Sequence, residues 1–284
     1  MSYNTVTLMP ARIPPDLDWP PKRHFAGGEY VKYAEVYDAL YGERDQDTAF
    51  YVGCARELLS RGATVLELGA GTGRLTGLLL RAGFGVTAVD ANAEMLARAR
   101  PKLKRFSPRC RLIRAEAGAM NLGRRFPLAI APFGMVAHLL EDRDRLAAFK
   151  AVRRHLEPDG WFVLDDMPGW LAGPSDGARL TVEKRVRNGA SGTIRLSSNA
   201  IDISGRPLTA RYDVIDWLDK KERLERRVIV RIVFRDIALK DELALLRKAG
   251  FGRFEVLGGF DGRPFDRRRP GKNKRLILRC RAAR

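Results

Sequence analysis

Candidate strands alternate along the chain with segments that carry apolar residues at helical spacing. The run 64–68 is mostly apolar, and a glycine turn separates it from Leu75, Leu78 and Leu79. Further candidate strands follow at 86–89, 110–114, 126–133 and 161–164. Short apolar runs are typical of strands covered on both faces, whereas spacings of three and four are typical of amphipathic helices. The pattern therefore predicts an α/β core.

A different pattern follows the strand at 161–164. Polar and apolar residues alternate in the segments 179–187, 193–203, 209–218 and 225–235, with turn residues at Asn188-Gly189 and from Ser204 to Pro207. Alternation with a period of two predicts antiparallel strands with one buried face. We therefore expect an inserted antiparallel sheet of about four strands. A helix near 239–249 and strands near 253–257 and 274–280 then complete the core.

The last inserted strand shows this alternation most clearly. Its apolar face consists of Val228, Val230, Ile232 and Phe234, and its other face carries Arg227, Arg231 and Arg235. We expect the arginines to be solvated or paired with carboxylates, for which Asp213 and Asp219 are the candidates. A phosphate-bearing ligand is the alternative partner.

The first part of the chain divides into a proline-rich arm and a helical segment. Residues 1–28 contain Pro10, Pro14, Pro15, Pro20 and Pro21, which predict an extended arm. Beyond it stand tyrosines three and four residues apart, namely Tyr30, Tyr33, Tyr37 and Tyr41. This spacing predicts one aromatic side of a helix, which either joins the core or covers a ligand. A second helix over about 46–60 leads to the first strand.

The turn after the first strand is the first feature with a chemical meaning. Gly69, Gly71 and Gly73 stand at every second position, so the backbone can turn sharply and a ligand can lie against bare main chain. Dinucleotide-binding turns have the pattern G-x-G-x-x-G, which needs a glycine where this chain has Arg74. The turn therefore predicts a ligand site of another kind.

The next strand ends in an acidic residue that suits such a ligand. Asp90 follows the first glycine at about the distance at which an acidic residue meets ribose hydroxyls in α/β nucleotide sites. Asn92 then caps a helix that buries Met95 and Leu96. The sequence thus places a carboxylate beside the glycine turn.

Together these features resemble the class I S-adenosylmethionine-dependent methyltransferases. The order Glu-x-Gly-x-Gly-x-Gly from Glu67 to Gly73 and the segment from Asp90 to Leu96 match motifs of that family. The resemblance implies a Rossmann-like seven-stranded methyltransferase sheet with an inserted antiparallel β subdomain, and S-adenosylmethionine as the cofactor. The segment 33–42 resembles the N-terminal lid of aminosugar N-methyltransferases. The insertion resembles that of these enzymes and of glycine N-methyltransferase.

The resemblance also implies a set of cofactor-binding residues. The three glycines admit the methionine part, Asp90 holds the ribose, and Glu116 with Ala117 frames the adenine. A solvated loop position is the alternative for Glu116. The complete set of predicted cofactor contacts is Tyr30, Glu67, Gly69, Ala70, Gly71, Gly73, Asp90, Ala91, Met95, Glu116, Ala117 and Ala131.

His138 is the predicted catalytic residue. The segment from Phe133 to Leu140 resembles the family's F-x-x-x-x-H-L motif, which places this histidine at the carboxyl ends of the strands, where ligands bind in open α/β sheets. An imidazole with an ordinary pKa of about 6.5 takes a proton from an amine or a hydroxyl at cellular pH. A structural histidine is the alternative.

Four further residues are predicted to bind the acceptor. They are Tyr33, Tyr37, Asp165 and Arg263. Asp165 ends the fifth strand, which follows a predicted turn from Pro158 to Gly160. Its carboxylate binds a cationic amine, orients His138 or caps the following loop. Arg263 stands in a segment that resembles the small-molecule branch of the family, with a surface role as the alternative.

Composition limits the partners and the compartment. The chain has 284 residues, 45% of them hydrophobic, and Cys54, Cys110 and Cys280 lie far apart without a histidine cluster. Neither a zinc site nor a disulfide framework is indicated, so we expect no metal and a reducing, cytoplasmic location. No stretch is apolar enough to predict a membrane span. The net charge of +18 is spread along the chain, which does not favour a nucleic-acid partner but does not exclude one.

These expectations define four regions and one function. Residues 1–28 form the arm, 29–170 the methyltransferase core with its helical lid, 171–236 the inserted β subdomain, and 237–284 the return to the core. The predicted function is S-adenosylmethionine-dependent methyl transfer to a nitrogen or oxygen of a small-molecule acceptor, with a homodimer through the inserted sheet as one arrangement. The alternatives are an RNA or protein methyltransferase and a non-catalytic module that binds S-adenosylmethionine.

Overall fold

The structure is a computed structural model that describes residues 33–166, 179–187, 192–202, 208–235, 237–266, 268 and 275–282. The predicted arm, Tyr30 and the predicted turns at Asn188-Gly189 and from Ser204 to Pro207 lie outside the described residues. Helices α1 to α6 span Tyr37–Tyr41, Gln46–Leu58, Arg74–Arg81, Ala93–Leu103, Asp142–Arg154 and Leu239–Lys248. Within these ranges, no helix is long and apolar enough to cross a bilayer.

Strands β1 to β11 fall into two sheets. Their bounds are Thr64–Leu68, Gly85–Asp90, Cys110–Arg114, Phe126–Ala131, Leu156–Asp166, Arg179–Arg187, Thr193–Asp202, Leu208–Leu218, Leu224–Arg235, Phe251–Leu257 and Leu276–Ala282. The larger sheet has the order β10-β11-β5-β4-β1-β2-β3. The five neighbouring strands β5, β4, β1, β2 and β3 pair in parallel. Strand β11 pairs antiparallel with both of its neighbours, β5 and β10. The predicted α/β fold with a seven-stranded sheet is confirmed.

The order of the strands creates a crevice at one edge of the larger sheet. From β1 the chain proceeds outward through β2 to β3, and β4 and β5 lie on the other side of β1. The strand order therefore reverses between β1 and β4. At such a point the loops that follow the two neighbouring strands lead to opposite sides and leave a space at the carboxyl ends of the strands. The glycine turn after β1 and the segment after β4 therefore meet at this crevice.

The first strand buries side chains on both faces of the sheet. Val65 and Leu66 are each fully buried, yet they belong to different hydrophobic clusters. The cluster of Val65 includes Leu79 of α3, whereas that of Leu66 includes Phe149 of α5. Helices on both faces explain why a strand of this sheet is apolar throughout.

The predicted turn from Pro158 to Gly160 lies inside β5 rather than before it. Leu156 of β5 pairs with Phe126, and the next pair joins Trp161 to Leu128. Residues 157–160 therefore stand opposite a single residue of β4, as a bulge. A bulge accommodates turn-forming residues without ending the strand, because pairing resumes beyond it.

The inserted sheet packs its apolar face on the core. Its order is β6-β7-β8-β9, antiparallel throughout, and its strands begin and end within two residues of the predicted bounds. Val230, Ile232 and Phe234 of β9 join a buried cluster that also contains Leu40 of α1 and Met95 of α4. The insertion thus meets the core beside the first helix.

Two arginines of β9, Arg227 and Arg235, have partners other than the predicted ones. Arg227 donates to both carboxylate oxygens of Asp216, at 2.6 and 3.0 Å, because the two residues stand opposite each other. Arg235 pairs with Asp142 of α5. For Arg227 and Arg235 the expected pairing with Asp213 or Asp219 was therefore wrong. Asp213 pairs with Arg211 and stands opposite Val230 on the face that packs inward, and Asp219 pairs with Arg223.

Candidate active site

A cavity of about 860 Å³, counting its open mouth, lies at the crevice. Its walls come from the segments that follow β1 to β4 and from the first helix. The lining residues are Tyr37, Leu68, Gly69, Gly71, Val89, Asp90, Ala91, Asn92, Met95, Ala115, Glu116, Ala117, Pro132, Phe133, Met135, His138 and Leu139.

The three glycines of the turn have different surroundings. All three adopt positive φ angles, 69° at Gly69, 56° at Gly71 and 81° at Gly73. A Cβ atom at Gly69 would lie 2.6 Å from Met135 Cγ, and one at Gly73 would lie 2.8 Å from Leu103 Cδ1. A Cβ atom at Gly71 would meet nothing within 4 Å. Gly69 and Gly73 therefore permit close packing, whereas Gly71 opens onto the cavity.

Asp90 is held by two backbone amides at the end of β2. Its Oδ2 accepts a 2.7 Å hydrogen bond from Gly71 N, and its Oδ1 accepts a 2.8 Å bond from Asn92 N. Burial raises the pKa of Asp90, and these two hydrogen bonds oppose that shift because they favour the charged form. The carboxylate is thus fixed against the glycine turn and faces the cavity.

Glu67 lies behind the turn rather than in the cavity wall. Its side chain is buried, and its Oε2 accepts a 2.6 Å hydrogen bond from Thr76 Oγ1 of α3. Burial raises the pKa of Glu67 to about 7, which the bond from Thr76 and the charge of Arg74 counteract. Glu67 therefore supports the helix that follows the turn.

One side of the cavity comes from the segment after β3 and from α4. Glu116 and Ala117 lie there with Ala91 and Met95. The Met95 amide donates to Asn92 Oδ1 at 3.0 Å, so the predicted cap is present. Partial burial, and secondarily the charge of Asp90, raises the pKa of Glu116. This group offers an acidic side chain and a small apolar surface next to Asp90.

Asp165 lies under the segment after β4 and does not line the cavity. Its carboxylate accepts hydrogen bonds from Phe133 N at 2.6 Å, Gly134 N at 3.0 Å and Tyr51 Oη at 2.7 Å. It also pairs with Arg275 at 2.9 Å. Phe133 has a φ of 62°, which a phenylalanine rarely adopts. The buried carboxylate thus holds the turn that presents Phe133 to the cavity.

His138 ends a short 3₁₀ helix, Met135–His138, that follows this turn. Its ring lines the cavity and lies 4.8 Å from the ring of Phe234 in the inserted sheet. Burial lowers the pKa of His138 to about 3, and the charges of Arg211 and Arg145 act in the same direction. The ordinary pKa expected from the sequence was therefore wrong, because an imidazolium would be desolvated beside two cations.

The described tyrosines of the first helical segment gather on one side, as predicted. The rings of Tyr33 and Tyr41 are 6.4 Å apart, and those of Tyr37 and Tyr41 are 5.0 Å apart. Tyr37 reaches the cavity, whereas Tyr33 is buried in the cluster under the inserted sheet. Burial raises the pKa of Tyr37 well above its usual value.

Several other predicted residues lie away from the cavity wall. Ala70 is buried and donates to Val89 O at 3.1 Å. Ala131 ends β4, and its carbonyl oxygen lies 3.3 Å from Tyr51 Oη. Arg263 is exposed and pairs with Asp261 in its own loop. Tyr30 lies outside the described residues.

Sequence reasoning missed most of the wall supplied by the segment after β4. Pro132, Phe133, Met135 and Leu139 line the cavity there. The F-x-x-x-x-H-L motif, which begins at Phe133, contains the signal for this wall, although the motif by itself indicates a role for His138 alone. Asn92, the predicted helix cap, also lines the cavity.

Two comparisons of sequence place this chain among known proteins. Residues 65–160 match a family model described as a methyltransferase domain. The glycine/sarcosine N-methyltransferase of Halorhodospira halochloris is 32% identical over 113 residues, which are 39% of this chain and 42% of that protein. The chain spans about half the length of the curated relatives it matches.

Solved structures share the fold over nearly the whole chain. The sugar N-methyltransferase KedS8 from Streptoalloteichus sp. ATCC 53650 has a TM-score of 0.71 at 18% identity and covers 100% of this chain and 99% of its own. CalS10, an amino pentose methyltransferase from Micromonospora echinaspora solved with S-adenosylmethionine bound, has a TM-score of 0.68 at 20% identity and covers 87% and 97%. At sequence identities of 18% and 20%, the similarity to these two proteins establishes a shared fold and no more. The resemblance predicted from the motifs is confirmed.

Proposed function

We propose that the chain transfers a methyl group from S-adenosylmethionine to the nitrogen of a small-molecule amine. Two findings support this proposal: residues 65–160 match a methyltransferase-domain model, and the fold is shared with a sugar N-methyltransferase. One observation carries this proposal. A single cavity joins Gly71 and Asp90, after β1 and β2, to Phe133 and His138, after β4. A cofactor and an acceptor can therefore meet in one partly enclosed space.

The residues present fit this cofactor. Gly71 leaves open space where a side chain would begin. The Asp90 carboxylate retains lone pairs beyond those that accept from Gly71 and Asn92, so it is able to accept from the ribose hydroxyls. Glu116 and Ala117 would frame the adenine. When bound, S-adenosylmethionine supplies an electrophilic methyl group on a sulfonium.

The protonation state of His138 favours an amine over a hydroxyl acceptor. With a pKa of about 3, the imidazole is neutral at physiological pH and too weak a base to remove a proton from a hydroxyl. An amine in its free-base form already presents a lone pair, and alignment with the methyl carbon then suffices. In this role His138 positions the acceptor by a hydrogen bond, and Phe133 and Met135 exclude water from the reacting atoms.

The names of the similar proteins support an amine acceptor. The sequence relative is a glycine/sarcosine N-methyltransferase, and the structural neighbours include a sugar N-methyltransferase and an amino pentose methyltransferase. These acceptors are all small molecules with an amino group. The same chemical class is proposed for this chain.

A screen of small amines tests the proposal. The purified chain is incubated with S-adenosylmethionine and a library of amino acids, amino sugars and matched alcohols, and formation of S-adenosylhomocysteine is measured. We expect turnover with at least one amine and none with the alcohol of the same skeleton. Gly71→Val serves as the inactive control, because its side chain would project into the cavity. Turnover confined to alcohols would contradict the amine assignment, and failure to bind S-adenosylmethionine would contradict the function.

A further inference from the structure

The segment 37–47, here called the lid segment, is fastened to the glycine turn at two points. It comprises the short helix α1 and the start of α2, and it places Tyr37 in the cavity wall. A five-residue helix has little stability of its own, because nucleation is costly and few backbone bonds form. Tertiary contacts must therefore set its position.

The first fastening joins Asp38 to Thr72. Thr72 lies between Gly71 and Gly73 and is fully buried. Its hydroxyl donates a 2.6 Å hydrogen bond to Asp38 Oδ1. The other oxygen of this carboxylate accepts from Lys102 at 2.6 Å, in a pair whose members are each about half exposed. The bond to Thr72 is the stronger restraint, since the Thr72 hydroxyl is buried, whereas solvent screens the pair with Lys102.

The second fastening joins Asp47 to Arg74, the residue that opens α3. Arg74 donates to both carboxylate oxygens of Asp47, at 3.1 and 2.5 Å, and to the carbonyl oxygen of Arg44 at 2.7 Å. The Asp47 side chain is fully buried. These two hydrogen bonds between the guanidinium and the carboxylate fix the relative orientation of Arg74 and Asp47 and also strengthen their ion pair.

The start of α3 receives negative charge from the lid segment, in addition to Glu67 behind the turn. No side chain caps this helix, and its first turn carries no acidic residue. The carboxylates of Asp38 and Asp47 approach this end from the lid segment instead, where the helix dipole favours them. The interaction is therefore mutual, because each part satisfies polar groups of the other.

We propose that Thr72 and Arg74 are positioning residues that hold the lid segment, and with it Tyr37, over the cofactor site. The inference rests on the proposed function for its effect on S-adenosylmethionine binding. The glycine turn then has two roles. Gly71 makes room for the ligand, and the neighbouring Thr72 and Arg74 hold the wall that covers it. If the lid segment is ordered before the ligand binds, the free energy of binding does not include the cost of ordering it. The affinity for the ligand therefore depends on the bonds of Thr72 and Arg74.

Hydrogen exchange of the free protein tests the fastening without any ligand. Thr72→Val removes the donor and keeps the shape of the side chain. We expect amides of residues 37–42 to exchange about tenfold faster in this variant, since a net hydrogen bond to a charged group is worth at least that ratio. Amides of β1 and β4 should keep their wild-type rates. Lys102→Gln is the matched control, because it removes only the exposed partner of Asp38, and it should leave all these rates unchanged.

Calorimetry with S-adenosylhomocysteine tests the consequence for binding. Thr72→Val and Asp38→Ala should each weaken binding about tenfold. The double variant should lose no more than either single one, because the bond between Thr72 and Asp38 is absent in all three and the exposed pair with Lys102 contributes little. If Thr72→Val fails to fold, the half-exposed Asp38→Ala decides the matter alone. Wild-type exchange rates in both variants, or an equal effect from Lys102→Gln, would overturn the inference. No binding by the wild type would refute the proposed function while leaving the exchange test valid.

Discussion

The Gly71 backbone nitrogen lies 2.7 Å from Asp90 Oδ2, and this hydrogen bond joins the turn after β1 to the end of β2. A second amide, that of Asn92, binds the other carboxylate oxygen at 2.8 Å. Both oxygens of Asp90 are thus oriented by backbone before any ligand arrives. Such preorganisation lowers the cost of binding.

Asp90→Asn should weaken binding of S-adenosylhomocysteine by about 10- to 100-fold, since each hydrogen bond to a charged group contributes about 1.5–3 kcal/mol. The amide nitrogen of asparagine cannot accept a bond, so either the bond from Gly71 or that from Asn92 is lost. Calorimetry measures the change. Glu94→Gln is the control, because it removes an exposed charge in the first turn of α4, the helix that Asn92 caps. This variant should bind like the wild type. Equal affinity in Asp90→Asn would exclude Asp90 from the cofactor site.

The pH dependence of turnover should contain no limb from His138 between about pH 5 and pH 8, because burial lowers the pKa of His138 to about 3. His138→Ala should reduce turnover by less than about tenfold, which is below the usual contribution of a general base. Its pH profile should match that of the wild type. Nuclear magnetic resonance of the imidazole gives a direct check, with the variant used to assign the signal. A midpoint near 6.5 in the folded protein would contradict this prediction.

Glu67 should make the wild type less stable as the pH rises. Burial raises the pKa of Glu67 from 4.5 to about 7, so the folded state binds the proton more tightly than the unfolded state does. The resulting stabilisation is fully present below about pH 4.5 and is lost by about pH 7, a change of about 3 kcal/mol. Glu67→Gln lacks this dependence.

Urea denaturation near pH 5 and near pH 8 measures this effect as a difference between wild type and Glu67→Gln. The variant should gain about 3 kcal/mol relative to the wild type over that interval. His138 acts in the opposite direction, since its lowered pKa makes stability rise with pH between about pH 3 and pH 6.5, but it is common to both proteins. A constant difference at all pH values would show that Glu67 titrates normally.

Asp165→Ala should destabilise the fold by about 3–5 kcal/mol, because it leaves Arg275 and two backbone amides without their buried acceptor. Equilibrium unfolding in urea provides the measurement. Asp159→Ala removes a more exposed carboxylate whose ion pair with Arg281 spans 3.5 Å, and it should cost less than about 1 kcal/mol. Equal losses in the two variants would argue against a supporting role for Asp165.

Nucleic-acid binding provides a test of the rival function suggested by the net charge of +18. Binding through dispersed arginines should fall about 10³-fold or more between about 50 and 200 mM salt, because it depends on counterion release. It should also be indifferent to sequence. A filter-binding titration decides the matter. Nanomolar, sequence-dependent affinity at the higher salt concentration would favour an RNA methyltransferase.

Most of the fold was predictable because local periodicity reports the environment of each element. The bounds of the four inserted strands agree with those predicted within two residues, since alternation reflects one buried face. The bulge at Pro158 to Gly160 was not predictable in the same way. Turn-forming residues describe the local backbone, whereas only the pairing with β4 decides whether the strand continues.

The cavity was partly predictable because parallel strands bring their carboxyl ends together. Gly71, Asp90 and Glu116 follow three different strands, and the topology alone gathers them at one edge. Asp165 also ends a strand, but it lies under the Phe133 turn. Spacing along the chain cannot distinguish a carboxylate that faces a ligand from one that holds a loop.

The sequence by itself determined the order of the elements, the fold class and the position of the glycine turn beside Asp90, because these follow from patterns within about 30 residues of chain. The tertiary structure decided the partners of charged groups and their protonation. Arg227 pairs with Asp216 through the register of two strands. Burial, with Phe234 of the inserted sheet 4.8 Å from the ring, and secondarily the charge of Arg211 lower the pKa of His138. Burial and distant charges set these properties, and both depend on residues far apart in the chain.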